Sequence, residues 1–385
     1  MKIAHLSDLH LGRRSAGDPN GAERLNSLRQ AIAKLAPESP DAILIAGDTF
    51  DSLRIDQAVV TEAARALAKA RDADGRPIPV VVIPGNHDPS DSTDLWEAFR
   101  SALGSGSSVY LVLVPQAVAL CGGKLVVEAY PCETRYSPES PWVKRIATTN
   151  DAEGPNRVVL AHGTLLGGPV PEGETEAYPF TQGDAEGLGA EYVALGHFHG
   201  IYPKWDGGQE LSRRVCYAGT HEPDQFNSDS GWAILVSLVK GRPAMLRRMR
   251  VGKRHWRLLE IQGPTDLARL ETLRSEVEGD NDPSRFMIRV KVGGKTILSP
   301  GEAEKLQSTE AGLRALGAQV ERQGDFQTWI NVESLDLSTL SSGAVKESLL
   351  SLQSELAQAQ DEAKREILKA AIRLGWTRLQ QHAAS

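Results

Sequence analysis

The chain has 385 residues, of which 41% are hydrophobic and 24% are charged. This length allows a substantial core and more than one domain, and the composition is that of an ordinary soluble protein. No apolar run reaches the roughly 18 residues of a membrane span, and the first residues lack the apolar core of a signal peptide. Cys121, Cys132 and Cys216 contain no CxxC pair, which is typical of a reducing compartment. We therefore predict a cytoplasmic protein with no membrane contact.

The net charge of −7 argues against a uniformly basic nucleic-acid binder. The charge is uneven, however, because eight Lys or Arg and no Asp or Glu stand between residues 240 and 257. Such a basic stripe can bind a phosphate backbone, or it can pair with acidic residues elsewhere on the protein. The candidates for DNA contact within it are Arg247, Arg248, Arg250, Lys253 and Arg254.

Short apolar runs rich in Val and Ile recur up to about residue 239 and predict strands that are buried on both faces. They are Ile3–Leu6, Ala42–Ala46, Val80–Ile83, Leu111–Val114, Leu125–Val127, Val158–Ala161, Tyr192–Leu195, Val215–Ala218 and Ala233–Val239. Apolar residues at helical spacing, such as Leu25, Leu28 and Ile32, predict helices between the early strands. This alternation predicts a layered α/β fold whose closely spaced later strands are more antiparallel.

The sequence pattern changes near residue 258. Predicted strands at Phe286–Val292 and Trp329–Val332 enclose a helical stretch at 300–316, so residues 258–335 are expected to form a small α+β domain. Residues 343–382 contain no Pro and predict a helical tail. The predicted division of the chain is therefore 1–257, 258–335 and 343–382.

Five of the apolar runs end directly in residues that can bind a metal ion. These residues are Asp8, His10, Asp48, Asn86, His162, His197 and His199. Strand ends at one edge of an open α/β sheet line a common crevice, so residues distant in sequence are expected to converge there. Carboxylate, amide and imidazole ligands favour Mn²⁺, Fe or Zn²⁺ over Mg²⁺ or Ca²⁺. A lone His after a strand is usually structural, but this ordered set predicts a pair of divalent ions bridged by a carboxylate.

The chain resembles the calcineurin-like metallophosphoesterase superfamily in five segments that follow one another in the same order. They are Asp8-Leu9-His10, Gly47-Asp48-Thr49-Phe50-Asp51, Gly85-Asn86-His87-Asp88, Ala161-His162-Gly163 and Gly196-His197-Phe198-His199. Further segments are similar to the DNA-repair exonuclease branch of that superfamily, the Mre11/SbcD-like nucleases. They are Leu11-Gly12, Phe50-Asp51, Tyr217-Ala218-Gly219-Thr220 and Gly231-Trp232-Ala233.

The resemblance implies a β-sandwich flanked by helices and specific roles for the site residues. One metal ion would be held by Asp8, His10, Asp48 and His199, and the other by Asp48, Asn86, His162 and His197. His87 would face the substrate, where it stabilises the transition state or protonates the leaving oxygen. Asp88 would orient His87 or, alternatively, cap a turn. Hydrolysis would use a water molecule activated by the two metals, without a covalent intermediate.

The resemblance to the exonuclease branch also implies a substrate and partners. We expect a manganese-dependent DNA exonuclease or endonuclease in which residues 258–335 orient DNA. The helical tail would bind an SMC-like ATPase of the Rad50/SbcC type or pack on its own domain. A homodimer would use residues 94–103, with Trp96, Phe99 and Leu103 on one helical face. His221 departs from the family pattern and is expected either to contact phosphate or, as the simpler reading, to lie in a surface turn.

Two other functions are alternatives to a DNA nuclease. A phosphodiesterase or phosphatase could act on nucleotides, small molecules or phosphoproteins, and the negative net charge favours this alternative. A non-catalytic scaffold would be expected to lack some of the ligand residues, whereas every ligand position is filled here.

Overall fold

The computed structural model describes residues 1–385 except 15–20, 147–153, 170–176, 206–209, 227, 294–295, 329–331, 333–334, 338–342 and 384–385. The chain forms two units, Met1–Arg254 and His255–Ser385. The predicted boundary after residue 257 falls inside a strand of the second unit, His255–Ile261. No helix in the described ranges is long and apolar enough to cross a membrane.

The first unit contains two large sheets. Its strands are β1 (Lys2–Leu6), β2 (Ala42–Ala46), β3 (Val80–Ile83), β4 (Val109–Leu111), β5 (Gln116–Leu120), β6 (Leu125–Tyr130), β7 (Asn156–His162), β8 (Tyr192–Gly196), β9 (Glu210–Arg213), β10 (Val215–Tyr217), β11 (Trp232–Ser237) and β12 (Ala244–Arg250). The seven-stranded sheet has the order β4-β3-β2-β1-β11-β12-β9, and the five-stranded sheet has the order β10-β8-β7-β6-β5.

Strand direction changes within the seven-stranded sheet. β1 to β4 run parallel to one another, while β11 pairs antiparallel with both β1 and β12. The expectation that later strands are more antiparallel is therefore confirmed for this sheet. The predicted strand at 111–114 lies earlier in the chain, at Val109–Leu111, because Val114 is 60% exposed and Pro115 follows it.

Alternating side chains place the seven-stranded sheet between two apolar layers, as expected for strands buried on both faces. In β2, Ile43 and Ile45 pack on one side with the helices, while Leu44 packs on the other side with residues of the five-stranded sheet such as Leu160. The two sheets thus face each other, and helices α1 (Ala22–Leu35), α2 (Gln57–Ala68) and α3 (Thr93–Leu103) cover the outer face of the larger one. The predicted layered sandwich flanked by helices is confirmed.

Helix α3 does not offer the predicted dimer face. Trp96 and Phe99 are fully buried in the core beneath the seven-stranded sheet, where both rings pack against Phe50. The indole nitrogen of Trp96 also donates a hydrogen bond to the carbonyl of Asp88 at 2.9 Å. Apolar residues at helical spacing can face either a core or an interface, and in this helix they face the core.

The second unit combines a small sheet with helices. Its strands are β13 (His255–Ile261), β14 (Phe286–Val292), β15 (Ile297–Leu298), β16 (Gln319–Gln323) and β17 (Gln327–Thr328), and β13, β14 and β16 form a parallel sheet. Helices α5 (Leu267–Glu278) and α6 (Pro300–Ala315) share its core. The predicted strand at 286–292 and helix at 300–316 are confirmed, while the predicted strand at 329–332 falls largely outside the described residues.

The predicted helical tail consists of two helices, α7 (Ala344–Gln358) and α8 (Glu362–Ala383). The break comes at Asp361, whose carboxylate accepts a hydrogen bond from the Lys364 amide at 2.7 Å and so begins a new helix. Leu349, Leu356 and Ile372 pack together in a small core, so one apolar side of the tail is used within its own unit. In the first unit, the described residues also include a short α-helix, α4 (Gln182–Glu186).

Candidate metal centre

The seven predicted ligands all lie at the carboxyl ends of parallel strands. The seven-stranded sheet contributes Asp8 and His10 after β1, Asp48 after β2 and Asn86 after β3. The five-stranded sheet contributes His162 at the end of β7, and His197 and His199 after β8. The candidate centre therefore lies where the edges of both sheets meet, as expected for the strand ends of an α/β fold.

The first cluster forms around two imidazole rings. The Nε2 atoms of His10 and His199 lie 3.0 Å apart, and ligand atoms of Asp8, His10 and His199 lie within 4.8 Å of one another. The His10 ring is held from behind, because its Nδ1 lies 3.1 Å from Asp51 Oδ1. A proton on Nδ1 leaves the Nε2 lone pair directed at the cluster, which is the tautomer that a metal ion requires.

The second cluster forms around an amide oxygen. Asn86 Oδ1 lies 2.8 Å from His162 Nε2 and 3.1 Å from His197 Nδ1. On its far side, His162 Nδ1 donates to the Ala46 carbonyl at 2.9 Å, so its Nε2 lone pair also faces the cluster. One oxygen and two imidazole nitrogens thus converge, which is a donor set suited to Mn²⁺, Fe or Zn²⁺.

Asp48 lies between the two clusters. Its Oδ2 atom is 3.6 Å from His10 Nε2 and 3.5 Å from His162 Nε2, and the side chain is almost completely buried. The other oxygen, Oδ1, accepts a hydrogen bond from the His87 amide at 2.8 Å. One carboxylate therefore faces both imidazole groups, which is the placement that a bridging ligand needs.

Asp8 provides a test of whether these residues fit a metal ion. Its Oδ1 accepts a hydrogen bond from the His197 amide at 2.9 Å, while Oδ2 is buried without a hydrogen-bond partner among the residues that the structure describes. Burial raises the pKa of Asp8 to about 6, although the nearby imidazoles of His162 and His199 oppose this change. A divalent cation would satisfy the second oxygen and stabilise the ionised form, so the residues fit such an ion.

Backbone strain is concentrated at the same residues. Within the described part of the chain, seven non-glycine residues have positive φ, and four of them are candidate ligands. These four are Asp8 (φ 50°), His10 (43°), Asp48 (48°) and His197 (112°). Such conformations cost of order 1–3 kcal/mol each and cluster at functional sites. Gly85 is fixed by a different constraint, because a Cβ atom there would lie 2.2 Å from Asp48 Oδ1.

His87 lies beside the first cluster and is half-buried. Its Nδ1 donates to the carbonyl of Asp51 at 3.0 Å, and its ring centroid is 4.9 Å from that of His10. An Nδ1 donor fixed by the backbone orients the ring from one side. The structure thus brings His87 close to the candidate ligands, and its catalytic role stays a prediction.

Asp88 is fully buried and accepts hydrogen bonds from two backbone amides, Gly85 at 2.7 Å and Phe50 at 2.9 Å. Burial, together with the charge of Asp48, raises its pKa well above the usual value. These contacts favour the alternative in which Asp88 caps the turn that carries Asn86 and His87.

Asp224 and Arg24 also lie at the candidate site, and neither was expected there from the sequence. Asp224 Oδ2 lies 3.4 Å from His199 Nδ1 and 3.6 Å from Arg24, whose guanidinium donates to the Leu9 carbonyl at 2.7 Å. Burial opposes ionisation of Asp224, but the His199 hydrogen bond and the charge of Arg24 outweigh it and hold the pKa well below its usual range. The only signal in the sequence is an arginine beside the apolar face of α1.

The simpler expectation for His221, a surface turn, is wrong. The side chain is fully buried, and its Nε2 lies 2.9 Å from the Arg24 carbonyl. Burial and the charge of Arg24 lower its pKa to about 4, so the ring is neutral at pH 7. His221 therefore stabilises the turn of the chain behind the candidate site.

The basic stripe is largely paired with other groups in the first unit. Arg247 contacts Glu38 at 2.7 Å, Arg248 contacts Asp229 at 3.1 Å, Arg254 contacts Glu23, and Arg250 donates to the Ser230 carbonyl at 2.7 Å. Arg248 also lies over the Trp232 ring, 4.7 Å from its centroid. The pairing alternative is thus favoured, because the acidic partners come from distant segments that the local charge count omits. Lys253 uses its amide to contact Glu222 at 3.0 Å.

Comparison with known proteins agrees with this geometry. Residues 1–200 match the model of the calcineurin-like phosphoesterase family. The chain is also 27% identical over 278 residues to the SbcD component of the nuclease SbcCD of Bacillus subtilis (strain 168), and the alignment covers 63% of this chain and 67% of the relative. The family match spans more than half of the chain and includes all seven predicted ligands. The chain is therefore a metal-dependent phosphoesterase and belongs to the calcineurin-like phosphoesterases.

Proposed function

We propose that this protein is a manganese-dependent DNA exonuclease or endonuclease that hydrolyses phosphodiester bonds within a DNA repair complex. The observation that carries the proposal is the pair of buried clusters that share Asp48. Two ions about 3.5–4 Å apart form a symmetric clamp for phosphoester hydrolysis, and a shared carboxylate can supply a ligand to both of them. The similarity to a component of a nuclease supports DNA as the substrate.

We assign the ligands as the sequence indicates. Asp8, His10, Asp48 and His199 would hold one ion, and Asp48, Asn86, His162 and His197 would hold the other. When bound, the ions would lower the pKa of a water molecule and neutralise charge on the phosphate. The buried, strained ligand loops hold the donor atoms in place before substrate arrives, which reduces reorganisation during the reaction.

His87 is the residue proposed to act on the substrate itself. With Nδ1 donating to the Asp51 carbonyl, its Nε2 is the nitrogen that can exchange a proton with substrate. In the protonated state it would donate to a phosphate oxygen or to the leaving oxygen as the P–O bond breaks. Asp88 would support this role through the turn that it caps, because the same turn carries His87.

The similarity to the SbcD component of a nuclease also supports proposals about partners. We propose that residues 258–335 orient DNA and that the helices of 343–382 bind an SMC-like ATPase. Exposed apolar residues on α7 and α8 support the second part, namely Val345, Leu350, Ile367 and Leu374. A homodimer is proposed as well, with an interface that excludes the buried Trp96 and Phe99. The three free cysteines support a cytoplasmic location.

A second candidate is a phosphodiesterase or phosphatase that acts on nucleotides, small molecules or phosphoproteins. The pairing of the basic stripe with Glu38, Asp229 and Glu23 favours it, because paired cations contribute little to binding of a phosphate backbone. This candidate predicts hydrolysis of small esters without salt-sensitive binding to DNA. A scaffold without catalysis is disfavoured by the complete ligand set.

The deciding experiment measures cleavage of linear and hairpin DNA with Mn²⁺, in parallel with hydrolysis of bis-p-nitrophenyl phosphate. His87→Ala is the test variant, and His255→Ala, a histidine of the second unit that stacks on Phe286, is the matched control. DNA cleavage that requires Mn²⁺ and is lost only in the His87 variant is expected. Ester hydrolysis without DNA cleavage, and without salt-sensitive DNA binding, would instead establish the second candidate.

A further inference from the structure

A carboxylate lies behind each of the two histidines of the first cluster. Asp51 Oδ1 lies 3.1 Å from Nδ1 of His10, and Asp224 Oδ2 lies 3.4 Å from Nδ1 of His199. In both rings the opposite nitrogen, Nε2, faces the cluster, where the two Nε2 atoms are 3.0 Å apart. Asp224 thus lies behind the ring of His199, on the side away from the other ligand atoms.

Asp224 is held mainly by side chains. Its Oδ2 accepts a hydrogen bond from Arg13 Nη1 at 2.7 Å and lies 3.6 Å from Arg24 Nη1. Its Oδ1 is buried and has no hydrogen-bond partner among the described residues. A buried carboxylate that only caps its own loop would use both oxygens on backbone amides, as Asp88 does. The position of Asp224 therefore depends on the charged groups around it.

Arg13 connects the two carboxylates. While Nη1 contacts Asp224, its Nε lies 3.9 Å from Asp51 Oδ1, and the side chain is 41% exposed. The guanidinium thus lies against the groups that hold both histidines. Arg24 fixes the same region from inside the core, because it donates to the carbonyls of Leu9 and Asp8. Two parts of the chain that are far apart in sequence, the segment from the loop after β1 into helix α1 and the loop after β10, meet at one carboxylate.

We propose that Asp224 is a positioning residue that, together with Arg13, holds His199 in the orientation and tautomer needed to bind one of the two divalent ions. This inference rests on the proposed function, since it concerns the metal centre of that activity. A carboxylate behind a metal-binding imidazole fixes the ring and increases its basicity, and loss of such a partner typically weakens metal binding by about 10- to 100-fold. The ion affected would be the one assigned to Asp8, His10, Asp48 and His199, three of which, Asp8, His10 and His199, have ligand atoms within 4.8 Å of one another.

The test is calorimetric titration of metal-free protein with MnCl₂, which needs no activity. Asp224→Asn keeps the shape of the side chain and removes its charge. Asp229→Asn is the matched control, because Asp229 also pairs with an arginine, Arg248, but contacts none of the ligands. We expect the wild type to bind two Mn²⁺ ions. In Asp224→Asn the affinity for one of these ions should fall by about tenfold or more. Asp229→Asn should bind both ions as the wild type does.

Thermal unfolding separates positioning from simple structural support. A structural role would lower the melting temperature of the protein equally with and without Mn²⁺. A positioning role reduces the rise in melting temperature that Mn²⁺ produces. If Asp224→Asn does not fold, Arg13→Met replaces it as the test variant, because Arg13 is half-exposed. Arg13→Met should weaken binding of the same ion by a smaller factor.

The outcomes distinguish this inference from the proposed function. Wild-type protein that binds no Mn²⁺ would overturn both. Two ions bound with unchanged affinity in Asp224→Asn and Arg13→Met would overturn the positioning role alone and leave the proposed function standing. A lower affinity for one ion, with binding of the second ion retained, would support the inference whether or not the protein cleaves DNA.

Discussion

Replacing Gly196 with alanine should damage both the fold and the centre. Gly196 ends β8 and precedes His197, and a Cβ atom there would lie 1.8 Å from the Ala46 carbonyl oxygen. Ordinary contact begins at 3.4 Å, so the two sheets would have to separate by about 1.6 Å at this point. The added atom would also lie 2.8 Å from His162 Nδ1, which donates to the same carbonyl.

Overpacking of this kind lowers the free energy of unfolding by about 1–3 kcal/mol, and the position between two backbones favours the upper end. A shift of about 1 Å in catalytic groups lowers activity by about 100-fold. Urea unfolding and Mn²⁺-dependent hydrolysis of bis-p-nitrophenyl phosphate measure the two effects. Gly183→Ala is the control, because its nearest neighbouring atom is 3.8 Å away and α4 tolerates alanine. A Gly196→Ala protein with wild-type stability and activity would refute the reasoning.

Three further changes test other parts of the structure. Burial lowers the pKa of His5 from 6.5, its value in the unfolded chain, to about 3. The free energy of unfolding therefore falls as the pH drops below 6.5, because the unfolded chain binds a proton there and the folded chain does not. The decrease in the free energy of unfolding is about 2 kcal/mol at pH 5. Urea titrations should find a smaller decrease in a double variant that carries His5→Phe and Tyr192→Phe, and an equal decrease would contradict this. Glu128→Ala should cost about 3–5 kcal/mol because it removes the partner charge of the buried Arg157, and a loss below about 1 kcal/mol would refute that. Mn²⁺ at 100 times its dissociation constant should stabilise the protein by about 2.7 kcal/mol for each ion bound, seen as a rise in melting temperature that EDTA reverses; no rise would argue against the metal centre.

The strands and the residues that follow them were predictable because the signal is local. A run such as Val80–Ile83 followed by Gly85-Asn86 identifies a strand and its polar end without any tertiary information. The same local rule explains why all seven predicted ligands lie together once the parallel strands are aligned.

Groups that depend on contacts between distant segments were not predictable. Asp224 lies in a loop, and its importance follows only from the approach of His199 and Arg24. The basic stripe could not be recognised as paired, because Glu23 and Glu38 precede it by about two hundred residues. The local pattern of a single sequence does not reveal which of several acidic residues reaches a given arginine.

Burial was misjudged where a pattern has two physical uses. The apolar face of α3 predicts an interface or a core, and neighbouring aromatic rings decide the matter for Trp96 and Phe99. A histidine after a glycine turn is exposed in many proteins, whereas here the His221 ring is buried and contacts the carbonyl of Arg24.

The central place of β1 has a consequence for synthesis on the ribosome. One neighbour, β2, is complete by residue 46, but the other, β11, pairs Ser237 with Lys2 and is made much later. At about 5–20 residues per second the ribosome needs roughly 10 to 40 s to bridge that interval. Throughout it, β1 would present an open sheet edge of the kind that promotes aggregation. A nascent chain stalled before Trp232 is thus expected to depend on chaperones, and one in which residues 1–254 have all left the ribosome is not.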